Sequence, residues 1–541
     1  MDRIERIAEL IAQQEKPITR KALLRSAMAA GVSMTALAAA LEARGVEAAH
    51  DEALPQARTK TIRVQGIYRP GSQPGGVGKP IHQMADVAKQ WEARNPGYTI
   101  KFEPDPVLAA GQDEAQWIKT QLLGGIAPDL FNFNQENAWP DADKGWYYTF
   151  DSFLNQPNPY VSGHPTLWQQ YRYPDIVKGH YGPDNKQYAV DYDMVEVAIF
   201  YNKNHFAKAG ITRLPQTWAE MIALNQKLQK AGIQRPTIGN AWRLADWGVD
   251  IIFDQLFRPF DKLLQAGITS NKTRQSKEYS GYLLPKAMCR AIKMGYLAPD
   301  NPRFREVMRI LHDWRQYFTR DLGPFMGGQS LEHGYRDFVT EKGSMLWDGN
   351  WNVRALRFDP LLKFKVGTFY LPPITRQTSP FAAAHPFPAC RIGGIATAFV
   401  VSNTPIHNGN ITKVLDYIHF LCTPQHAGAI IGEAAQFIPN ITGAPTPPGE
   451  QIFDDVLRRP YTIIKNTYWG DTQYNDEIRS QNLNYLNDGI SLDTYMQQLG
   501  RSMQAVADRY IKKYGWEAEA KSWTPANGIK KHPEIARPGS V

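Results

Sequence analysis

The sequence predicts an α/β fold in which strands alternate with helices. The stretch TIRVQGIYR (61–69) has the alternation of a strand, residues 81–95 have a helical pattern, and YTIKFEP reads as a second strand. A helical stretch, QDEAQWIKTQLLGGI, and a short strand in APDLFNF continue the series. This spacing is typical of parallel βαβ units, which bind ligands beyond the carboxyl ends of their strands. The loop NQENAW therefore lies at a predicted binding edge.

Length and composition set the class of protein. The 541 residues are 43% hydrophobic and 21% charged, enough to bury the cores of two or more domains. The net charge of +8 comes from scattered Lys and Arg, a pattern that favours solubility over nucleic-acid binding. Cys289, Cys390 and Cys422 are too widely spaced for a paired-cysteine zinc site and leave one optional disulfide. Dispersed histidines and the lack of an EF-hand loop predict no metal, and no cofactor is expected.

Residues 1–48 are predicted to be an export signal, because basic residues precede an apolar, small-residue stretch at 27–41. The segment TRKALLR (19–25) resembles the twin-arginine motif with Lys in place of the second Arg, so both export routes stay open. Cleavage is expected after Ala40 or Ala48. The alternative is a helix-turn-helix, since the same stretch has helical periodicity around a glycine. The apolar run is too short to span a membrane.

The glycine-rich loop GSQPGGVGKP (71–80) invites a comparison with phosphate-binding loops. A P-loop needs a Gly five residues before the Gly of its Gly-Lys pair and Ser or Thr after the pair, and Gln73 and Pro80 stand at those positions. The loop therefore lacks the hydroxyl that would reach a metal ion, and a nucleotide site is excluded.

The middle of the chain carries closely spaced helix signals. The extended run YAVDYDMVEVAIFYN ends at Asn202, a predicted N-cap for a helix through 206–209 that Gly210 terminates. Thr217 and Glu220 predict a capping box for the next helix. The apolar positions of that helix form one stripe and are predicted to face the core: Trp218, Met221, Ile222 and Leu228.

Several segments match one family in the right order. They are LLGGIAPDLFNF with Gly125, Pro128 and Asp129; the block with Tyr201-Asn202-Lys203, Gly210 and Pro215-Gln216-Thr217-Trp218; DFVTEKGSMLWDGNW; RIGGIATAFVVSN; and VLDYIHFLCTPQHAGAIIGEAAQFIPN. Together they resemble the extracellular solute-binding proteins of ABC importers, in the sugar-binding group that includes maltose-binding protein. The resemblance covers roughly residues 60–520. Within it, the Lys342-Gly343 order is inverted and Ser344 replaces the usual Ala.

The resemblance implies a two-lobed, type II periplasmic-binding-protein-like fold, with a mixed sheet flanked by helices in each lobe and a ligand cleft between the lobes. The expected boundaries are an export signal at 1–48, lobe 1 at 56–192 and 397–450, lobe 2 at 193–396 and 451–530, and a tail at 531–541. Two departures stand out. The acidic pair Asp191 and Asp193 replaces a neutral hinge segment that commonly has Pro, and extra sequence at 263–302 suits either an enlarged cleft or added surface.

A sugar needs aromatic rings for its C–H faces and polar side chains for its hydroxyls. The family's Gly-x-Trp position falls on Gly349 and Trp351, and the segment after Asp129 places Gln135 and Glu136 near ligand. The full set of candidate ligand-binding residues, chosen by resemblance or by placement at strand ends, is Gln135, Glu136, Trp139, Asp191, Asp193, Trp242, Asp246, Trp247, Trp347, Asp348, Asn350, Trp351 and Arg391.

Each candidate has a structural alternative. The tryptophans can be partly buried packing, Glu136 can be a charge at a helix N-terminus, and Asp191 can bond backbone at the hinge. Arg391, beside two glycines, can clamp the carboxylate of a uronic acid or lie on the surface. Trp469 is a further late candidate.

By resemblance, the protein is a periplasmic, monomeric binding component that captures a carbohydrate, most simply an oligosaccharide. It would close around this ligand and deliver it to a membrane permease without catalysis. Two alternatives stay open. The same fold can bind a peptide, polyamine or other solute, or the chain can be a glycoside hydrolase in which Asp191 and Glu136 act as the two carboxylates. No GxSxG nucleophile elbow is present.

Overall fold

Two β-sheets form the framework of the protein. The computed structural model describes residues 60–66, 68–104, 114–178, 180–182, 184–239, 244–266, 285–318, 329–387, 389, 391–450, 453, 462–463 and 472–541. The strands within these residues are β1 (Lys60–Gln65), β2 (Tyr98–Phe102), β3 (Leu130–Asn132), β4 (Val190–Asp191), β5 (Asp193–Asn202), β6 (Thr237–Gly239), β7 (Met345–Gly349), β8 (Val366–Phe369), β9 (Arg391–Ile395), β10 (Ala398–Val401), β11 (Ile438–Pro439) and β12 (Thr462–Ile463).

Helices flank both sheets. In chain order the α-helices of the described residues are α1 (Gln83–Arg94), α2 (Glu114–Leu123), α3 (Gln135–Ala138), α4 (Leu167–Gln170), α5 (Pro174–Lys178), α6 (Lys203–Lys208), α7 (Trp218–Lys230), α8 (Val249–Phe257), α9 (Asp261–Leu264), α10 (Pro285–Lys293), α11 (Pro302–Arg315), α12 (Gln329–Val339), α13 (Val353–Phe358), α14 (Thr404–His407), α15 (Ile411–Leu421), α16 (Pro424–Ala434), α17 (Thr472–Leu486), α18 (Leu492–Lys513) and α19 (Glu517–Ala520). A π-helical turn at Leu244–Gly248 leads directly into α8.

The first sheet has the strand order β2-β1-β3-β10-β4. Its first three strands are parallel, as the alternation of strand and helix predicts, and β10 is antiparallel to both β3 and β4. Asp129 shows what the Pro-Asp pair does at the start of β3, because its carboxylate accepts a hydrogen bond from the backbone N–H of Arg63 at 2.8 Å. Burial raises the pKa of Asp129. This contact helps to fix β3 beside β1.

The second sheet is built around the long strand β5. Its order is β12-β9-β5-β7-β6, and β8 and β11 also pair with β5. The strands β7, β8, β9 and β11 run antiparallel to β5, whereas β6 runs parallel to β7. Nearly every residue of β5 is buried, so the sequence of the strand is mostly apolar and does not alternate strictly between polar and apolar residues. The predicted α/β class, with mixed sheets flanked by helices, is confirmed.

The helix signals after β5 have clear structural roles. The Asn202 side-chain oxygen accepts hydrogen bonds from the N–H groups of Asn204 and His205, so Asn202 is the N-cap of α6, as predicted. Thr217 caps α7 by accepting from the N–H of Glu220 at 3.2 Å. The predicted capping box is wrong in one detail, because the Glu220 carboxylate accepts from Gln216 N–H, one residue before the cap. The chain turns tightly here, and Arg213 also reaches that carboxylate.

The core predictions for α7 hold. Trp218 is 2% exposed and packs edge-on against Trp314 with ring centroids 5.2 Å apart. Cys289 and Cys422 are free thiols buried in separate hydrophobic clusters. The predicted export signal and Cys390 lie outside the described residues. In the portion of the chain that the structure describes, no helix has the length and apolar character needed to cross a lipid bilayer.

Candidate functional site

The chain passes between the two sheets where the candidate site begins. Strand β4 of the first sheet ends at Asp191, and β5 of the second sheet begins two residues later at Asp193. A second passage joins β9 to β10 through Ala396 and Thr397. Backbone bonds tie the passages together, from Tyr192 N–H to the Thr397 carbonyl at 2.9 Å and from Ala396 N–H to the Asp193 carbonyl at 3.1 Å.

The carboxyl ends of parallel strands supply the surroundings of this crossing. Tyr68 follows β1, helix α3 follows β3, and Asn350 and Trp351 follow β7. In open α/β sheets ligands bind in the crevice beyond such strand ends. The structure therefore brings elements from both sheets to one region, although they are far apart in the sequence.

Trp351 is the candidate whose surroundings differ most from ordinary core. Its side chain is only partly buried, and it packs against the hydrophobic clusters of both sheets. Its ring centroid lies 6.0 Å from that of Trp247, at an interplanar angle of 57°. A Cβ at Gly349 would lie 2.0 Å from the Trp351 ring, so glycine at that position makes room for the indole. The Gly-x-Trp spacing thus positions a partly exposed ring between the two sheets.

Asp193 is the centre of the polar crossing. It is fully buried and accepts hydrogen bonds from the Thr397 N–H at 2.8 Å and from the Tyr68 hydroxyl. Burial and, to a smaller extent, the nearby Asp191 raise the pKa of Asp193 to about 7, against the opposing effect of these hydrogen bonds. Burial also raises the pKa of Tyr68 well above its ordinary value. The Asp193 carboxyl therefore changes charge near neutral pH.

Asp193→Asn is expected to change the pH dependence of stability. In the unfolded chain the Asp193 carboxyl loses its proton near pH 4, whereas the folded protein keeps it until pH about 7. The folded state therefore binds more protons in this window, and this residue makes the free energy of unfolding fall as pH rises from about 4 to about 7. The variant lacks this pH-dependent loss. Its free energy of unfolding should therefore rise by about 2–4 kcal/mol relative to that of the wild type as the pH rises from 4 to 8.

Urea unfolding midpoints at several pH values measure this difference. Asp184→Asn, at a more exposed carboxylate away from the crossing, serves as the control. Parallel pH profiles for wild type and Asp193→Asn would contradict the assignment.

A second polar cluster links the end of β7 to a distant part of the chain. The Asn350 amide donates to the Glu450 carboxylate at 2.7 Å, and its oxygen accepts from the N–H of Glu196 at 3.3 Å. All three residues are fully buried. Burial raises the pKa of Glu450 well above its ordinary value, and the charge of Asp193 adds to the effect. The cluster orients Asn350, next to Trp351 in the sequence.

Asp191 lies at the same crossing. It is fully buried, its backbone N–H donates to the Tyr171 hydroxyl at 3.3 Å, and its carbonyl accepts from the Asn440 amide at 3.0 Å. The imidazole of His180 lies 3.4 Å from its carboxylate. Asp191 thus takes part in the local structure of the crossing.

Three other candidates are buried. Trp139 is fully buried, and its carbonyl accepts from the Tyr514 hydroxyl at 3.2 Å. Trp347 lies in the core of the second sheet, where its ring centroid is 5.0 Å from that of Trp314. Asp348 is 3% exposed and accepts from the Gly349 N–H at 2.7 Å. The structure places these side chains among packing contacts.

The remaining candidates cannot be placed by their side chains. Gln135 and Glu136 form the first turn of α3, Asp246 lies in the π-helical turn, and Arg391 is the first residue of β9. The side chains of these four residues, and the whole of Trp242 and Trp469, lie outside the described residues. Among the residues that the structure does describe, no group of three or more His, Cys, Asp or Glu is arranged to hold a metal ion.

The sequence reasoning missed three residues of this region, Tyr68, Glu196 and Glu450. Glu196 had a usable signal, since it interrupts an otherwise apolar strand at a position whose neighbours are buried. Tyr68 lies inside the predicted strand 61–69, whereas the observed strand β1 already ends at Gln65, so the criterion of strand ends did not select it. Glu450 lies in a loop far along the chain, and no local pattern distinguishes it.

Comparison with known proteins agrees with this geometry. Residues 80–288 match the family model described as bacterial extracellular solute-binding protein. The match shows that this segment is similar to that family, and it covers less than half of the chain. Two relatives, described as binding proteins of Brucella abortus (strain 2308) and Brucella suis biovar 1 (strain 1330), are 28% identical over 149 residues. That alignment covers 27% of this chain, and the chain spans about a third (32%) of the length of these curated relatives.

Solved structures extend the likeness to most of the chain. A chitin oligosaccharide binding protein has a TM-score of 0.58 at 18% identity, covering 83% of this chain and 98% of that one. The maltose-maltodextrin binding protein of Alicyclobacillus acidocaldarius has a TM-score of 0.54 at 16% identity, covering 82% and 100%. The GacH receptor of Streptomyces glaucescens has a TM-score of 0.56 at 13% identity, covering 84% and 98%. These likenesses show the fold, and the predicted type II periplasmic-binding-protein-like architecture is confirmed.

Proposed function

We propose that the protein is the binding component of an ABC importer and captures a carbohydrate, most simply an oligosaccharide, between its two lobes. The observation that carries the proposal is the position of Trp351, a partly exposed indole that packs against the hydrophobic clusters of both sheets. Rings of this kind suit the C–H faces of sugars, and the neighbouring carboxylates and amides suit hydroxyls. The match to the solute-binding family and the oligosaccharide-binding proteins of like fold support it.

The proposed lobes follow the passages between the sheets. Lobe 1 comprises residues 56–192 and 397–450, and lobe 2 comprises residues 193–396 and 451–530. The change of sheet between β4 and β5, and again between β9 and β10, supports these limits. Export of the protein, here to the periplasm, follows from the leader pattern at 1–48, and the expected partner is a membrane permease that receives the ligand from the monomeric binding protein.

The ligand site would combine Trp351, and beside it Trp247, which is 7% exposed, with polar groups of both lobes. Gln135, Glu136, Asp246 and Arg391 are proposed as donors and acceptors from the surrounding strand ends and turns, and Arg391 would favour an acidic sugar. Trp242 is a further proposed stacking ring. The buried carboxyls of Asp191 and Asp193 would stabilise the crossing without contacting the ligand.

A thermal-shift screen tests this function. Neutral and acidic mono- and oligosaccharides are compared with amino acids, peptides and polyamines, because a ligand that binds only the folded protein raises the unfolding midpoint. A selective rise with one sugar class is expected. A response only to another solute would keep the fold and replace the ligand class.

Prolonged incubation with the sugar that responds separates binding from catalysis. We expect the sugar to be recovered intact, as analysed by chromatography. Release of shorter sugars, lost in Asp191→Asn, would favour a glycoside hydrolase instead.

A further inference from the structure

The segment after β7 continues directly from a strand of the second sheet, but its side chains contact the first-sheet side. It leaves the second sheet at Gly349 and continues through Trp351 into α13. The Gln436 amide, on the first-sheet side of the crossing, donates to the Trp351 carbonyl at 3.4 Å. Three residues further along, the Arg354 side chain reaches much deeper into that side.

Arg354 donates hydrogen bonds to four backbone carbonyls. One guanidinium nitrogen donates to Glu433 at 2.7 Å and to Ala434 at 3.2 Å, another donates to Lys79 at 2.8 Å, and Nε donates to Val77 at 3.3 Å. The residue is only 4% exposed. Bonds from a charged donor in a buried setting are stronger than ordinary surface contacts.

The carbonyls that Arg354 contacts are fixed to the body of the first sheet. Two of them belong to the end of α16, where backbone carbonyls have no partner within the helix and the helix dipole is negative. Ile430 and Ile431 of α16 lie in the same hydrophobic cluster as Ile62 of β1. The Glu433 carboxylate also accepts from the N–H of Gln83 at the start of α1.

We propose that Arg354 is a positioning residue that favours a closed arrangement of the two lobes, defined as the one in which its guanidinium reaches the first-sheet body. Its guanidinium joins a helix that follows β7 of the second sheet to two separate backbone segments of the first-sheet body. A rotation that separated the sheets would have to break these bonds or pull α13 away from β7. Because Trp351 lies three residues before Arg354, the same contact holds the indole in its place between the lobes.

A second contact between the two sides is weaker in kind. Lys513, at the end of α18, donates to the Pro140 carbonyl, and Tyr514 donates to the Trp139 carbonyl. Lys513 is exposed, so water competes for its ammonium group, whereas Arg354 is shielded. The buried bond between Asn350 and Glu450 also joins the two proposed lobes, but it is a single bond, whereas Arg354 donates to four carbonyls. Loss of Arg354 therefore removes more bonds between the lobes than the loss of either other contact.

The test is small-angle X-ray scattering of the ligand-free full chain. Arg354→Ala is expected to lower the ratio of closed to open protein about tenfold or more, which appears as a larger radius of gyration. Arg354→Lys keeps the charge with fewer directed donors and should fall between the two. The matched control is Arg357→Ala, in the same helix, where the removed side chain is exposed and contacts the Phe358 ring.

Arg354→Gln keeps the test decisive if Arg354→Ala does not fold. Glutamine fills part of the same space, but its shorter side chain with two N–H donors cannot replace the guanidinium's bonds to four carbonyls. It should also enlarge the protein. An unchanged radius of gyration in a folded Arg354→Ala or Arg354→Gln variant would overturn the proposal.

This inference depends on the proposed function at one point only, where the compact arrangement is identified with the ligand-bound protein. The scattering comparison needs no ligand, so failure of the sugar screen leaves it intact. With a sugar in hand, Arg354→Ala should weaken affinity about tenfold and Arg357→Ala should not. Normal sugar binding with unchanged scattering would remove the role of Arg354 and leave the transport function standing.

Discussion

Trp351→Ala is expected to weaken ligand binding by about 1–3 kcal/mol, roughly 5- to 150-fold in the dissociation constant. The indole is partly exposed, packs against the clusters of both sheets, and lies 6.0 Å from the Trp247 ring between centroids. A ligand in the cleft would cover its open face, so truncation removes that contact area. Large aromatic residues at the centre of an interface commonly dominate its binding energy.

The measurement is titration calorimetry with the sugar found in the screen. Trp146→Ala is the matched control, because Trp146 is also partly exposed. It lies at the end of the first sheet where β3 begins, opposite to the carboxyl ends of the parallel strands. Its carbonyl accepts from Asn403 N–H, just beyond the end of β10 that pairs with the start of β3. Equal affinities for wild type and folded Trp351→Ala would return the indole to a packing role.

Arg303→Met is expected to lower the free energy of unfolding by about 3–5 kcal/mol. Arg303 is fully buried, and its guanidinium donates to the carbonyls of Ile535 at 2.7 Å, Leu256 at 2.9 Å and Phe381 at 2.6 Å. It also donates to the hydroxyl of Ser540 at 2.9 Å. Methionine fills much of the space but leaves these buried acceptors without a donor, at about 1–3 kcal/mol for each lost partner.

The arginine keeps its charge although burial lowers its pKa to about 10. The rings of Phe260 and Phe381, with centroids 4.8 Å and 5.2 Å from the guanidinium carbon, help to stabilise that charge. Loss of Arg303 should also release the C-terminal segment, which is visible as faster amide hydrogen exchange in residues 533–541.

The control for Arg303→Met is Arg305→Ala in the same helix. Arg305 pairs with Asp493, whose side chain is 77% exposed, so its removal should cost no more than about 1 kcal/mol. Urea denaturation of both variants gives the comparison. Equal midpoints for the two variants would show that Arg303 contributes no more than a surface ion pair.

Much of the fold was predictable because its signals are local. The cap at Asn202, the buried stripe of α7 and the strand that follows the Pro-Asp pair each depend on residues a few positions apart. The capping box failed in detail because Gln216 N–H competes for the Glu220 carboxylate. That competition depends on the path of the chain before the helix, which the spacing of Thr217 and Glu220 does not specify.

The candidate site was less predictable because it is assembled from distant segments. Trp351 could be selected from its spacing to Gly349, but the sequence could not distinguish it from Trp347, which the structure places beside Trp314 in a core. Trp347 lies within β7, and Trp351 lies two residues after the end of that strand. Glu450 and Arg354 acquire their roles only through contacts with residues far away in the chain, and such contacts leave no periodic pattern.

The topology of the first sheet has a consequence for how the protein is made. Strands β3 and β4 do not pair with each other, because β10 lies between them and bonds to both. A ribosome therefore completes most of the second sheet before it synthesises the strand that closes the first. Until residue 401 emerges, β3 presents an open edge, the kind of surface that promotes aggregation. The nascent chain is thus most vulnerable in the middle of its synthesis, and a fragment ending before β10 should not yield a stable N-terminal lobe.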